Sequence, residues 1–405
     1  MFYDNDYPPV HPSTYLRITQ LQPSALFPSL RHLKYKYHMG SRYSSHAFLS
    51  CVISPLLDSL ELINIRGFEN TIVGPFLATL QVSSQMLSRI VLHNGQMSVD
   101  IFKKSIVHFK QLRSLEISDA VFMSDFVLWE VLGTLPYLAN FTLKAFDPSS
   151  HPAHAPKNQN SQSGGPKYFE ALECLFVKGS FLLIQHLLSF IDSPCLESIE
   201  IYPVINRVHN EDEDEPEDLL TPSMTMIASK WSQSLKKFIM GSSLRAPRDS
   251  ISKCLMVLTD LHEMQTFHLL RWKMENMDDD LRRLVMSWPK LRNLGVDQTI
   301  ISLSTLRIIA ECCPELRHLS IPLDSFTIPP FDISSKSFSH KLEVLNVVRV
   351  HSFVIHASME SQIRMARHLD SIFPHLKSIE MPPNNSTWIG IRDLVKLCQD
   401  FRRGQ

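Results

Sequence analysis

Glycine is scarce in this chain, at 12 of 405 residues. Phosphate-cradling turns need glycine, because only it lets backbone approach a phosphate closely. Neither G-x-G-x-x-G nor G-x-x-x-x-G-K-[ST] occurs, which argues against a nucleotide-binding fold. H-E-x-x-H and G-x-S-x-G are absent too, so no zinc protease or serine hydrolase signature is present. Neither sign of charge is in excess: 40 Lys and Arg stand against 41 Asp and Glu, for a net charge of −1. Such a chain has no bulk attraction for nucleic acid or an anionic membrane. No uncharged apolar run reaches about 18 residues, so no membrane span is expected. The N-terminus, MFYDNDYPPV, lacks the basic start and apolar stretch of a signal peptide. A cytoplasmic or nuclear protein is expected. The seven cysteines form no C-x-x-C and suggest neither a disulfide framework nor a zinc site, so buried free thiols are expected. We expect no metal, no cofactor and no enzymatic activity.

What is present is a repeat. The pattern L-x-x-L-x-[LIV] recurs thirteen times, beginning at Leu30, Leu57, Leu87, Leu112, Leu138, Leu172, Leu196, Leu235, Met264, Leu291, Leu316, Leu342 and Leu376. The mean spacing is about 29 residues, at the upper edge of the leucine-rich-repeat range. The last four positions alternate, which describes a short strand with one buried face. The first leucine lies where the chain enters that strand.

Proline supports the same register. Pro28, Pro55, Pro136, Pro194, Pro289, Pro314 and Pro374 each stand two residues before the first leucine. Proline lacks an N–H and restricts its predecessor, so it ends a helix there. Between copies, SLSTLRIIAECC reads as an amphipathic helix with Ser304 as N-cap and Leu306, Ile309, Ala310 and Cys313 on one face. MDDDLRRLVMSW is another, capped by Asp279 or Asp280. The expected fold is an α/β leucine-rich-repeat solenoid, a horseshoe or arc of about 13 irregular repeats. Its parallel strands are expected on the concave face and its helices on the convex face. Residues 1–25 are expected to form an N-terminal segment or cap and 26–400 the solenoid, with loop insertions at 147–168 and 203–222. A third insertion is expected at about 348–358.

Copies with Cys near the helix end, such as AECCPELRHLSI, resemble the cysteine-containing repeats of F-box proteins. With FPSLRHLKY near the start and an irregular repeat length, the chain is similar to the fungal F-box/leucine-rich-repeat family of mushroom-forming species, over roughly residues 13 to 400. The resemblance implies a substrate-recognition arc of an SCF ubiquitin ligase. The sequence shows no L-P-x-E-like F-box start ahead of Leu30, so a Skp1-type adaptor is implied only if an F-box lies upstream.

The outward positions of the strands locate a candidate site. The middle position reads Lys34, Glu61, Val91, Glu116, Thr142, Phe176, Glu200, Ile239, His268, Gly295, Ser320, Asn346 and Glu380. The next outward position gives Lys178, Tyr202, Gly241 and Leu270 in copies six to nine. Phe176, Tyr202, Ile239 and Leu270, with His268 among them, are expected to form an apolar patch, the kind of surface that binds a partner. The expected partner is a protein or ubiquitination substrate, taken up by a monomer. An alternative is a scaffold or regulator outside ubiquitin ligation, such as a GTPase-activating or inhibitor-like arc. The acidic run at 211–218, the histidines of HPAHAP at 151–156 and the N-x-[ST] matches at Asn384 and Asn385 are expected to carry no site. The Asp278–Asp280 triple is expected to serve helix capping.

Overall fold

The fold is seen in a computed structural model. It describes residues 12–21, 26–36, 47–64, 70–93, 99–118, 126–145, 168–204, 216–242, 251–272, 276–298, 300–323, 340–348, 358–381 and 385–404. The chain divides into two compact units, Met1–Leu196 and Glu197–Gln405.

The first unit runs α1 (Pro12–Leu21), β1 (His32–Lys36), α2 (Ala47–Cys51), β2 (Ser59–Ile63), α3 (Asn70–Ser83) and β3 (Arg89–His93). It continues with α4 (Val99–Ile106), β4 (Ser114–Ser118), α5 (Phe126–Gly133), β5 (Asn140–Lys144), β6 (Cys174–Gly179) and α6 (Phe181–Phe190). Strands β1 to β6 pair in chain order, all parallel.

The second unit runs β7 (Ser198–Pro203), α7 (Pro216–Trp231), β8 (Lys237–Gly241), α8 (Ser252–Met256) and β9 (Thr266–Leu270). Then come α9 (Met277–Ser287), β10 (Asn293–Val296), α10 (Leu303–Cys312), β11 (His318–Ile321) and β12 (Val344–Val347). It ends with α11 (Met359–Ile372), β13 (Ser378–Glu380) and α12 (Ser386–Arg403). Strands β7 to β13 are again parallel and in chain order.

Every one of these strands starts two residues after the first leucine position of its repeat. From the second repeat onward that leucine, or Met264 in the ninth, is buried, as at Leu57, Leu172, Leu235 and Leu316, while Leu30 is half-buried. Strand residues then alternate: Leu60 and Leu62, Phe267 and Leu269, Leu319 and Ile321 point into the core, and their neighbours point out. Each unit is therefore an α/β solenoid of leucine-rich-repeat type, in which a repeat buries its apolar side only against its neighbours. Stacked aromatics carry the core across repeats. Phe238 lies on Phe267, and Phe267 meets Trp288 with ring centroids 4.8 Å apart.

The proline rule holds at atomic level. Helices α9, α10 and α11 are followed by Trp288, Cys313 and Phe373, each directly before a proline. All three take φ between −116° and −122° and ψ between 66° and 70°, outside the helical region. Proline's ring disfavours the helical conformation in its predecessor, although Pro75 and Pro222 are accommodated inside α3 and α7. The same residues plug the core, each with no exposed surface. Elsewhere a serine takes that place. Ser54, Ser84 and Ser193 are buried and give their hydroxyls to carbonyls of Pro28, Ser54 and Leu172. In the twelfth repeat His340, one residue further along, bridges the same gap. Its Nε2 is 2.8 Å from the Cys313 carbonyl, and its Nδ1 accepts from the Leu342 amide at 3.1 Å.

Three expectations about helix caps and loops are corrected. The N-cap of α10 is Ser302, whose Oγ accepts from the Thr305 amide at 3.3 Å, and not Ser304. Ser304 sits one step into the helix and takes a hydrogen bond from Arg282. Neither Asp279 nor Asp280 caps α9. Asn276 occupies the cap without a side-chain bond, and all three aspartates lie in the first turn, where a negative charge suits the helix dipole. Asp278 instead accepts the Ser302 amide of the next repeat at 3.1 Å. The insertion expected at 203–222 is helical from Pro216 onward. Proline is favoured in a first helical turn, because its missing N–H is one no helix would use. Residues 147–167, 205–215 and 349–357 lie outside the described residues, as do the HPAHAP histidines.

The cysteines are all free among themselves. Cys51, Cys254 and Cys313 are buried, Cys174, Cys312 and Cys398 are half-buried, and Cys195 is exposed, which corrects the expectation of uniform burial. Burial pushes the Cys313 thiol up to about 12. Among the described residues no helix is long and apolar enough to cross a membrane.

Candidate functional site

The parallel register brings the outward residues into rows. In the first unit Lys34, Glu61, Val91, Glu116, Thr142 and Phe176 stand in one row, each opposite the next. Charge pairs across it: Lys34 meets Glu61 at 2.6 Å, and Lys144, one outward position on, meets Glu116 at 2.7 Å. Phe176 is half-buried, and the Lys144 ammonium sits 5.5 Å from its ring centroid. A cation over a ring face at an exposed site stabilises by about 0.5–1 kcal/mol. Val91 shares the row yet is 3 % exposed, so it offers nothing to a partner.

In the second unit the row is Glu200, Ile239, His268, Gly295, Ser320, Asn346 and Glu380. Tyr202, Ile239, His268 and Leu270 are all half-buried on this outward face. Two rings lie against glycines of the next strand. A Cβ on Gly241 would come within 2.6 Å of Tyr202 Cδ1, and one on Gly295 within 2.9 Å of His268 Cε1. Glycine leaves room for the ring at both places, and a side chain there would force the ring to shift.

An ion pair closes one side of this group. Lys237 meets Glu200 at 2.6 Å. Burial first, and Lys237 second, hold the His268 imidazole below the ordinary histidine value, while Glu200 opposes them. Burial first, and Glu200 second, push the Tyr202 phenol up. At neutral pH the group presents a neutral imidazole, a neutral phenol and two aliphatic chains beside a paired charge. That set offers apolar area with a few polar tips, which suits recognition.

The structure thus puts Tyr202, Ile239, His268 and Leu270 on one face of the second unit, and Phe176 on the outward face of the first. Sequence reading missed the Glu200–Lys237 pair and the two glycine seats. Gly241 and Gly295 were visible as outward positions, but nothing in the sequence says that a neighbour's ring folds over them. Among the described residues no group of three or more His, Cys, Asp or Glu side chains is placed to hold a metal ion. Asn385 finds a structural role as N-cap of α12, accepting from the Trp388 amide at 3.2 Å.

No known protein family matches the sequence, and no curated protein does. Several solved structures are similar in backbone. A crystal structure of an internalin, InlF, from Listeria monocytogenes is 13 % identical, with 90 % of this chain and 85 % of that one covered and a TM-score of 0.43. Rad7 in a yeast Rad7–Elc1 complex is 14 % identical, with 83 % and 82 % covered and a TM-score of 0.42. A Bacteroides fragilis protein is 13 % identical over 67 % of this chain, which spans 66 % of that protein, with a TM-score of 0.36. At these values the likenesses assign neither partner nor activity, and the leucine-rich-repeat architecture rests on the register of the strands themselves.

Proposed function

We propose that this chain is a protein-recognition module that captures its partner on the outward faces of its strands, as the substrate-recognition arm of an F-box/leucine-rich-repeat ubiquitin ligase. One observation carries the recognition reading: Tyr202, Ile239, His268 and Leu270 stand half-exposed on adjacent strands of a rigid parallel ladder. Rigid apolar and aromatic groups at a surface bind with little entropy loss, and such groups dominate binding energy at protein interfaces. Phe176, half-buried on the outward face of the first unit, is a separate candidate contact there. The ligase arm rests on the repeat resemblance alone.

The test uses the full chain as bait. Ile239→Asp and Phe176→Asp are made separately, and proteins co-purified with each are compared with wild type. Each substitution is expected to weaken capture of the principal partner by about tenfold or more, as loss of an interface hot spot does. Melting should move little, since both side chains are half-exposed. Unchanged capture by both variants would refute the site. Co-purification of a Skp1-type adaptor tests the ligase arm separately.

A further inference from the structure

Along one rim of the second unit, where the strands begin, charges pair off between neighbouring repeats. Lys236 meets Glu197 at 2.5 Å, Lys290 meets Glu263 at 2.6 Å, and Arg292 meets Glu315 at 3.2 Å. The pattern changes at the last three strands. There Arg317, Lys341, Glu343, His375 and Lys377 line a depression of about 260 Å³. Glu343 meets Lys377 at 3.1 Å. Its carboxyl is held below the usual range by the Lys377 hydrogen bond and charge, with Arg317 and His318 adding to the effect. Arg317 and Lys341 form no ion pair among the described residues. Among the described residues that line the depression, three permanent cations stand beside one carboxylate, a surplus of two positive charges.

The scaffold fixes these groups in space. Leu316, Leu342 and Leu376 are buried, so Arg317, Glu343 and Lys377 directly after them project outward. Backbone bonds tie each to the repeat before: Arg317 N to Arg292 O at 2.8 Å, Glu343 N to Arg317 O at 2.9 Å, and Lys377 N to Glu343 O at 2.8 Å. The depression is smaller than the sites of about 300–1,000 Å³ usual for a drug-sized ligand. Adjacent strands are about 4.8 Å apart, so the cations of β11 to β13 spread over about 10 Å. Alternate residues of an extended peptide are about 7 Å apart. Cations spread over about 10 Å can pair with more than one carboxylate along an extended chain, which a single compact anion cannot supply.

We propose that this rim pocket binds an extended acidic segment of a protein partner. Arg317 and Lys341 take its carboxylates, and Glu343 holds Lys377 in position. The site is separate from the outward face described above, and its test does not depend on that face.

The test is fluorescence anisotropy on the full chain at low salt with a labelled Gly-Glu-Gly-Glu-Gly-Glu-Gly peptide. The same peptide with Gln for Glu and a Gly-Gly-phosphoserine-Gly-Gly peptide are run beside it. The Glu peptide is expected to bind about tenfold tighter than the Gln peptide, with affinity falling as salt rises. The double variant Arg317→Glu with Lys341→Glu should lose that preference without a change in melting, because both side chains are exposed. Lys104→Glu with Lys110→Glu, an equal change of charge on exposed residues of the first unit, should leave binding unchanged. Equal binding of the Glu and Gln peptides overturns the proposal. So does equal loss in the two double variants, which would show bulk charge alone. Tighter binding of the phosphoserine peptide also overturns it, in favour of a compact dianion.

Discussion

At the scale of single residues, histidine burial makes the fold sensitive to mild acid. Burial holds His186, His268, His340 and His368 below the ordinary histidine value. In the unfolded chain each titrates near about 6.5. The unfolded state therefore binds more protons below that pH, and stability falls with it. Stability is full above about pH 6.5 and declines as pH drops toward the lowered folded values. Urea midpoints measured from pH 7.5 to pH 5 should show this decline; a flat profile would contradict it. His340 is central, because protonating its Nδ1 removes the acceptor for the Leu342 amide. His340→Ala is expected to cost about 1–3 kcal/mol by leaving a buried amide unpaired. The glycine seats give a second test. Gly295→Ala should displace the His268 ring, and an NMR titration should then show its pKa rising toward the ordinary value, with stability lowered by about 1 kcal/mol.

At the scale of elements, the strands were legible and the caps were not. Each strand starts where the alternation of its motif places it, because a period of two fixes which side chains face the core. Helix ends before Pro289, Pro314 and Pro374 were legible for a steric reason that needs no neighbours. Starts were harder. SLSTL contains two serines, Ser302 and Ser304, and only the direction in which the chain leaves β10 decides which hydroxyl reaches an exposed amide. Ser302→Ala is accordingly expected to lower stability by about 1 kcal/mol, and Ser304→Ala by less than about 0.5 kcal/mol. Chemical denaturation of both variants checks the order. The same limit applied at the site. Alternation placed Ile239 and His268 outward, but the pairing of Glu200 with Lys237 needs the register of two strands whose sequences lie far apart.

At the scale of the whole molecule, a repeat architecture makes stability a matter of neighbours. Each described strand of the second unit hydrogen-bonds only to the strands before and after it. Damage should then spread along the ladder from its origin. Leu316 has no exposed surface, and an unpaired carboxylate there costs several kcal/mol. Leu316→Asp is expected to lose amide protection in β10, β11 and β12 first, as read by hydrogen exchange. Uniform loss across the unit, or unchanged melting, would contradict the assigned core position.

The uneven placement of the thiols also offers a practical handle. Cys195 is exposed, three others are sealed in the core, and burial pushes the Cys51, Cys312, Cys313 and Cys398 thiols up, away from the reactive thiolate. A maleimide dye at neutral pH should therefore modify Cys195 ahead of the rest in the native protein. The chain carries a nearly site-selective attachment point for a fluorophore or affinity group, with no need to remove the other six cysteines first.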